Sequence, residues 1–443
     1  MFKTYVTSKY EKYRLESVPV ESNDKPDFTI SINRNKRYQK IIGFGGAFTE
    51  AACFTLNRLS QEKQDTLLMA YFDEVKGLGY NLGRVHMNSS DFSLENYCYV
   101  EDNDTNLESF NISREYKYVI PTIKKAEAIA MKDIKLLISP WSPPWWMKSN
   151  KMMNQGGYLL PDYYSVWAEY YVKFIDALKD AGLKPFALTV QNEPAAVQTW
   201  DSCIYTAEQE RDFIKNFLGP ILHENSHKDI KVFIWDHNRD IVVERAKTVL
   251  TDKEAAKYVS GTAVHWYVSE EFENLGIVHK LFPKKQIIFS EGCVEGGPQV
   301  NVYETGERYS RNIIGDFSNW CEAFIDWNIT LDELGGPNHV GNYCDAPILS
   351  DTVNNKLIFN SSYYHIGHFS KYVKPGAYRI QTRTRNKLIK QIAFENPDGS
   401  IVLVCLNQSE KDIVFKFKFN GLETNFKSIK RSIMTLIYKG DWE

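Results

Sequence analysis

The sequence predicts a (β/α)8 TIM barrel with a side-associated antiparallel β-sandwich built from both chain ends, and three observations predict it. Short apolar runs alternate with longer amphipathic stretches from about Ile41 to Val373, the pattern of repeated βα units around a parallel sheet. Eight such runs can be placed, one for each strand of a closed barrel. After Gly376 the texture changes to dense period-two alternation broken by turn signals, which is the signature of antiparallel sheet. The length of 443 residues agrees, since it accommodates a barrel of about 250 residues or more together with a smaller unit.

In chain order, the predicted barrel strands lie at 41–44, 80–85, 134–139, 186–191, 232–235, 262–265, 287–290 and 323–327. Most of the intervening segments have helical spacing. It is plainest over 163–181, where Trp167, Tyr170, Tyr171, Phe174 and Leu178 line one face before Gly182 ends the run. Beyond the barrel, the alternating stretches Tyr378-Arg-Ile, Ile389 to Phe394, Ile401 to Leu406 and Ile413 to Phe419 are separated by Asn396-Pro-Asp-Gly and Asn420-Gly turns. The segment Asp27 to Asn33 also alternates, so it is expected to pair with the C-terminal strands. The expected domains are therefore a sandwich of residues 1–38 and 374–443 and a barrel of residues 39–373.

Composition narrows the function. A net charge of −3 and the lack of any basic block interleaved with aromatics argue against nucleic acid or a membrane surface as partner. The seven cysteines are scattered and free of CxxC spacing, which argues against a disulfide framework or structural zinc. The first twenty residues contain no continuous apolar stretch, so if Met1 is the natural start a cytoplasmic location is expected. The aromatic content of 14% suits a site that packs flat rings against sugar C–H faces, although many of these rings must be core.

The chemistry is written in two acidic segments. Thr189-Val-Gln-Asn-Glu-Pro194 and Ile288-Phe-Ser-Glu-Gly292 each place a glutamate just past an apolar strand. A carboxylate there is costly to bury alone, so Glu193 and Glu291 point to one shared pocket at the barrel mouth, where active sites of this fold form. Paired carboxylates flanking a scissile bond are the minimum equipment for cutting a glycosidic linkage, and a separation of about 5–5.5 Å makes such an enzyme retaining. The competing reading is two strand-end glutamates paired with surface cations.

Further residues converge on the same mouth. His265 and Tyr267 follow the sixth strand, and Tyr267 could tune a carboxylate nucleophile; core packing is the plainer alternative for both. Arg84, with His86 and Asp91, forms a polar cluster at the end of the second strand, and Arg84 suits a structural counter-ion as well as a functional clamp. Asn192 can bond a sugar hydroxyl beside the reacting carbon. Ser139-Pro-Trp-Ser-Pro-Pro-Trp-Trp-Met-Lys148 sets three indoles among three prolines as a stacking platform, and Trp327 could close the pocket floor. Gly43-Phe-Gly-Gly-Ala47 lacks the spacing and lysine of a phosphate loop, so close backbone packing explains it better. Asp102-Asn-Asp-Thr-Asn106 has a calcium-like rhythm but no following glycine or terminal glutamate. His86, His237 and His265 lie on separate strands with no two-histidine ligand motif, so neither metal nor cofactor is expected.

Taken together, Gly43-Phe-Gly-Gly-Ala-Phe-Thr-Glu50, the tryptophan–proline segment, Gln191-Asn-Glu-Pro194, Val264-His-Trp-Tyr267, Ser290-Glu-Gly292, Asp326-Trp-Asn328 and Tyr364-His-Ile-Gly-His-Phe-Ser-Lys371 resemble glycoside hydrolase family 30, the glucosylceramidase family. The resemblance runs almost end to end. It implies a barrel with a side sandwich and retaining double displacement, with Glu193 as acid/base and Glu291 as nucleophile. It also implies sugar contacts from Asp91, Trp146, Asn192, His265, Tyr267 and Trp327, with Asn342 a further candidate. Gly292 departs from the alanine or other small residue often found after the nucleophile. The mechanism requires Glu193 to hold a proton near neutral pH, through limited solvation and the charge of Glu291. The expected activity is that of an exo-acting β-glucosidase on small soluble β-glucosides. The alternatives are β-xylosidase, β-fucosidase or β-1,6-glucanase action, or an inactive carbohydrate-binding protein.

Overall fold

The computed structural model describes residues 2–440. Eight parallel strands close a barrel: Gly43–Ala47, Leu82–Met87, Lys135–Pro140, Lys184–Thr189, Lys231–Asn238, Val259–His265, Gln286–Glu291 and Cys321–Asp326. The eighth pairs back onto the first, with Phe324 opposite Phe44. All eight overlap the predicted runs. The first two begin two residues later than predicted because backbone donors just ahead of them are spent elsewhere. Ile41 donates its N–H to Ala377, at the edge of the sandwich, and Tyr80 donates to Tyr71 in the preceding helix Gln61–Phe72. The clearest predicted helix is observed as Tyr164–Asp180.

Inside the barrel, Leu82, Leu137, Ala187, Phe233, Ala263 and Ile288 from successive strands form a dry plug, so the barrel is a packed core with its chemistry confined to the rim. The glycines of the first strand serve packing, as predicted. A Cβ on Gly45 would lie 2.1 Å from the Leu82 carbonyl oxygen, a distance no side chain survives.

The second layer is one nine-stranded sheet wrapped around its own apolar core, which includes Val6, Ile30, Leu403, Phe415, Phe417 and Leu436. Both chain ends contribute. Phe2–Ser8 lies antiparallel beside Ser432–Tyr438, and Phe28–Lys40 lies between Tyr378–Arg383 and Ile413–Phe419. The latter pairing is parallel, an exception to the otherwise antiparallel sheet. The Asn420-Gly421 turn has both residues at positive φ, the geometry that closes a two-residue hairpin between Ile413–Phe419 and Leu422–Ser428.

Helix Ser361–Ser370 fastens the layers together. From it, buried His368 bridges Thr435 and Thr7 of the sandwich at 2.9 Å each, and buried His365 meets Ser310 at 2.8 Å on helix Tyr303–Ser318 beside the barrel. Among the described residues, no helix is long and apolar enough to cross a membrane.

Candidate active site

Glu193 follows the fourth strand and Glu291 ends the seventh, so parallel strand direction brings both to one face. One oxygen of each carboxylate and a ring nitrogen of His265 all lie within 4.8 Å of one another. The two glutamates border a cavity of about 220 Å³ whose walls include Asp91, Asn192, Tyr267, Trp327 and Asn342, whereas His265, predicted as a sugar contact, is fully buried and does not line it. Five of the predicted contacts thus line the same cavity as the two glutamates.

Beside the glutamates lies a buried charge network. Arg84, fully enclosed, donates to Glu291, to Asn192 Oδ1 at 2.9 Å and to Asp236 Oδ2 at 2.8 Å. Its guanidinium lies over the rings of Trp141 and Trp327, 4.8 and 5.5 Å from their centroids. Tyr267 donates its hydroxyl to Glu291 Oε1 at 2.9 Å. The two Glu291 oxygens are therefore clamped by separate donors, and the Arg84 alternatives merge: it is a counter-ion that also positions the site.

Asp236 carries no motif of its own, although a carboxylate past the fifth strand is the same kind of signal as the two glutamates. Its side chain accepts from Arg84, Ser290 and Thr189, and faces His265 Nε2 at 3.0 Å. The backbone there leaves the strand conformation. Trp235 and Asp236 have φ of 76° and 50°, and the register with the sixth strand slips at this point. Glu193 is likewise left-handed, with φ of 47°. Three non-glycine residues in this region are a local strain that only a well-bonded surround holds in place. Buried Glu210 supplies part of it by accepting the Trp235 N–H at 2.9 Å.

The residues 41–373 match the glycosyl hydrolase family 30 TIM-barrel domain, and residues 376–436 match the family 30 β-sandwich domain. The chain belongs to glycoside hydrolase family 30. This family 30 hydrolase is 37% identical to the lysosomal acid glucosylceramidase of Mus musculus over 403 residues, covering 87% of this chain and 78% of the relative. The structure of SrfJ from Salmonella typhimurium superposes with a TM-score of 0.94 over the whole of both chains at 34% identity. That of the endo-β1,6-glucanase BT3312 gives 0.90 at 29% identity, covering 99% of this chain and all of the other.

Within the hydrolase, the expectation for Trp146 is corrected. Trp146 is 1% exposed, packs edge-on against Tyr163 in the main core and does not line the cavity. Of the three indoles in its segment, only Trp141 reaches the cavity, stacked on Trp327 with centroids 5.1 Å apart. Trp145 instead donates to Asp102 of the calcium-like segment at 2.7 Å. A third of a turn in a short 3-10 helix, Trp145–Met147, separates these fates, and sequence spacing does not carry that rotation. His237 and Asn238 from the end of the fifth strand, and Gln198, Trp200, Cys293, Glu295 and Cys344 from loops whose paths had no sequence signal, complete the lining. Asp91 accepts from Asn342 at 3.0 Å and from Asn338 at 3.3 Å.

Gly292 acquires a reason. A Cβ there would meet Phe289 at 2.6 Å and Trp266 at 2.8 Å, so alanine does not fit behind this nucleophile candidate unless those rings move.

The protonation pattern differs from the expectation. Burial alone would raise the Asp236 carboxyl, but the Arg84 charge and the bonds from His265 and Ser290 hold it far below the usual carboxylate range. Burial opposes a charged His265, yet Glu291, Asp236 and Glu193 together push it up to about 9, so the imidazole is a cation at neutral pH. Both ring nitrogens then carry protons aimed at carboxylates. Glu193, His265 and Glu291 are the one group of three or more such side chains in the described residues whose donor atoms could surround a metal ion, and an ion there would have to displace the His265 proton. Burial likewise favours neutral Glu193, but the His265 bond and the His237 charge bring it below its ordinary value. Glu291 is lifted by burial and by the Glu193 charge, against the pull of His265 and Arg84. These influences favour the charged form more at Glu193 than at Glu291, the reverse of the order expected, with His265 3.3 Å from Glu193 and 3.9 Å from Glu291.

Proposed function

We propose that this family 30 hydrolase is a retaining, exo-acting β-glucosidase on small soluble β-glucosides, with Glu291 as nucleophile and Glu193 as acid/base. The observation that carries this reading is the approach of the two carboxylates to within 4.8 Å in one cavity, which suits direct attack rather than an intervening water. Glu291 attacks the anomeric carbon while Glu193 passes its proton to the departing oxygen. Glu193 then takes a proton from water, which attacks the same carbon and restores Glu291, so the sugar leaves with its β configuration.

The clamp decides which glutamate attacks. Arg84 and Tyr267 hold both Glu291 oxygens and stabilise its anion, whereas Glu193 has His265 at 3.3 Å and His237 at 3.9 Å beside one oxygen. His265 Nδ1 lies near both carboxylates. It can give its proton to Glu193, which readies the acid while Glu291 stays ionised for attack. Asp91, Asn192 and Asn342 would bond sugar hydroxyls over the Trp141–Trp327 wall. A cavity of about 220 Å³, below the usual range for ligand pockets of about 300–1,000 Å³, favours one ring over a run of several.

The test is an aryl β-D-glycoside panel with glucose, xylose, fucose and galactose heads, with the first-formed anomer read by NMR. The glucoside is expected to be fastest and the product β. Glu291→Ala should abolish turnover, and azide should rescue Glu193→Ala. Full activity in either variant, or an α product, would reject the assignment. The second reading is β-1,6-glucan cleavage, favoured by the 0.90 superposition on an endo-β1,6-glucanase. Faster release of oligomers from a β-1,6-glucan than of aryl alcohol from the glucoside would select it.

A further inference from the structure

Two thiols that the proposed reaction does not use face each other in the cavity wall. Cys293 lies two residues beyond Glu291 in the loop after the seventh strand, and Cys344 lies in the loop that carries Asn342. The loops are tied together as a short antiparallel ladder. Glu295 pairs with Cys344, Asp345 donates its N–H to Val294 at 2.8 Å, and Gly296 donates to Tyr343 at 3.1 Å. This ladder puts the two cysteines diagonally across it.

Both belong to the same small apolar cluster as Trp141 and Trp327, and both line the cavity, so a small ion entering by the mouth reaches them. Cys293 Sγ is also 3.5 Å from the Tyr267 hydroxyl that holds Glu291.

We infer that Cys293 and Cys344 form a dithiol site for a thiophilic metal ion, occupied at the expense of sugar binding. Two S–H bonds break, two metal–sulfur bonds form and two protons leave to solvent, with no change of oxidation state. The geometry offers two soft ligands side by side, which select a soft cation over calcium or magnesium. Metal–sulfur bonds of about 2.3 Å would draw Cys293 toward Cys344 and set positive charge beside the Tyr267–Glu291 pair. The site is distinct from the Glu193, His265 and Glu291 group, whose donors are oxygen and a protonated ring.

The test titrates the intact protein with Cd²⁺ in chelator-free buffer and reads the ultraviolet cadmium–thiolate charge-transfer band together with glucoside turnover. The expected result is one ion per chain with about two protons released, loss of at least nine-tenths of turnover at saturation and recovery on adding EDTA. Cys344→Ser should lose the band and, measured against its own metal-free activity, tolerate at least tenfold more Cd²⁺. Cys53→Ser, which removes a buried thiol from outside the cavity lining, should behave as wild type. Unaltered Cd²⁺ sensitivity in Cys344→Ser would overturn the site, since inhibition would then run through other groups. A wild-type protein that binds no Cd²⁺ at micromolar concentration would overturn it equally, and the band answers this whether or not the glucoside is the true substrate.

Discussion

Arg84 and Asp236 form a fully buried ion pair at 2.8 Å, and the same guanidinium holds Glu291. The nucleophile candidate is thus tied through one side chain to a carboxylate on a different strand. That carboxylate also orients His265, so the two glutamates share a single support.

Asp236→Asn should therefore weaken catalysis while leaving the cavity's shape intact. Replacing the charge leaves Arg84 and His265 facing an amide, and a loss of about 10²–10³ in kcat is expected, the scale of removing one preorganised electrostatic contact. Asp236→Ala should in addition cost about 3–5 kcal/mol of stability, because buried Arg84 and His265 each lose a carboxylate partner. Stopped assays on an aryl β-glucoside and urea melts measure the two effects. Wild-type turnover in the asparagine variant would show that the network is only structural.

Tyr267→Phe removes a donor that favours the charged form of Glu291. A bond to a charged group is worth about 1.5–3 kcal/mol, so kcat/KM should drop by about tenfold to a hundredfold. The sign of the pH effect follows. Losing the donor raises the Glu291 pKa, the active ionised form is lost earlier on acidification, and the acid limb of the pH–rate profile moves to higher pH. A limb that stays in place would separate Tyr267 from the nucleophile.

Trp141 and Trp146 should part company under substitution. Trp141→Ala removes the ring that stacks on Trp327 in the cavity wall and should raise KM about tenfold or more. Trp146→Phe trims a core side chain, so about 1–3 kcal/mol of stability should be lost with kinetics near wild type. The reverse pattern would return Trp146 to the sugar site.

The joint between barrel and sandwich should be acid-sensitive. Burial pushes His365 down to about 3 and His368 well below its usual value, so both stay neutral in the fold. The unfolded chain takes up their protons near pH 6.5, so each costs stability as pH falls below that value, by about 1.4 kcal/mol per unit. For His365 the loss continues to about pH 3. Asp91 and Asp345, both lifted to about 7 by burial, run the other way, since the fold binds their protons first. The decisive quantity is therefore the difference between wild type and His368→Gln in urea midpoints from pH 7.5 to 5. The variant should start less stable and decline less steeply; parallel lines would rule His368 out.

The sequence alone determined whatever depends on period and strand direction. Alternating apolar runs placed all eight barrel strands, period-two texture placed the sandwich, and the strand-end positions of Glu193 and Glu291 put both on one rim. These follow because backbone geometry repeats along the chain and parallel strands all point one way. What only the tertiary structure decided depends on rotation and on neighbours distant in sequence. Trp141 faces the cavity directly after the third strand, whereas Trp146, in the short 3-10 turn, packs against Tyr163. Asp236 became the hub because a bulge turns it against Arg84, 152 residues away. The opposite pKa shifts of the two glutamates were illegible for the same reason, since burial and the distances to neighbouring charges set them, and neither quantity exists until the barrel closes.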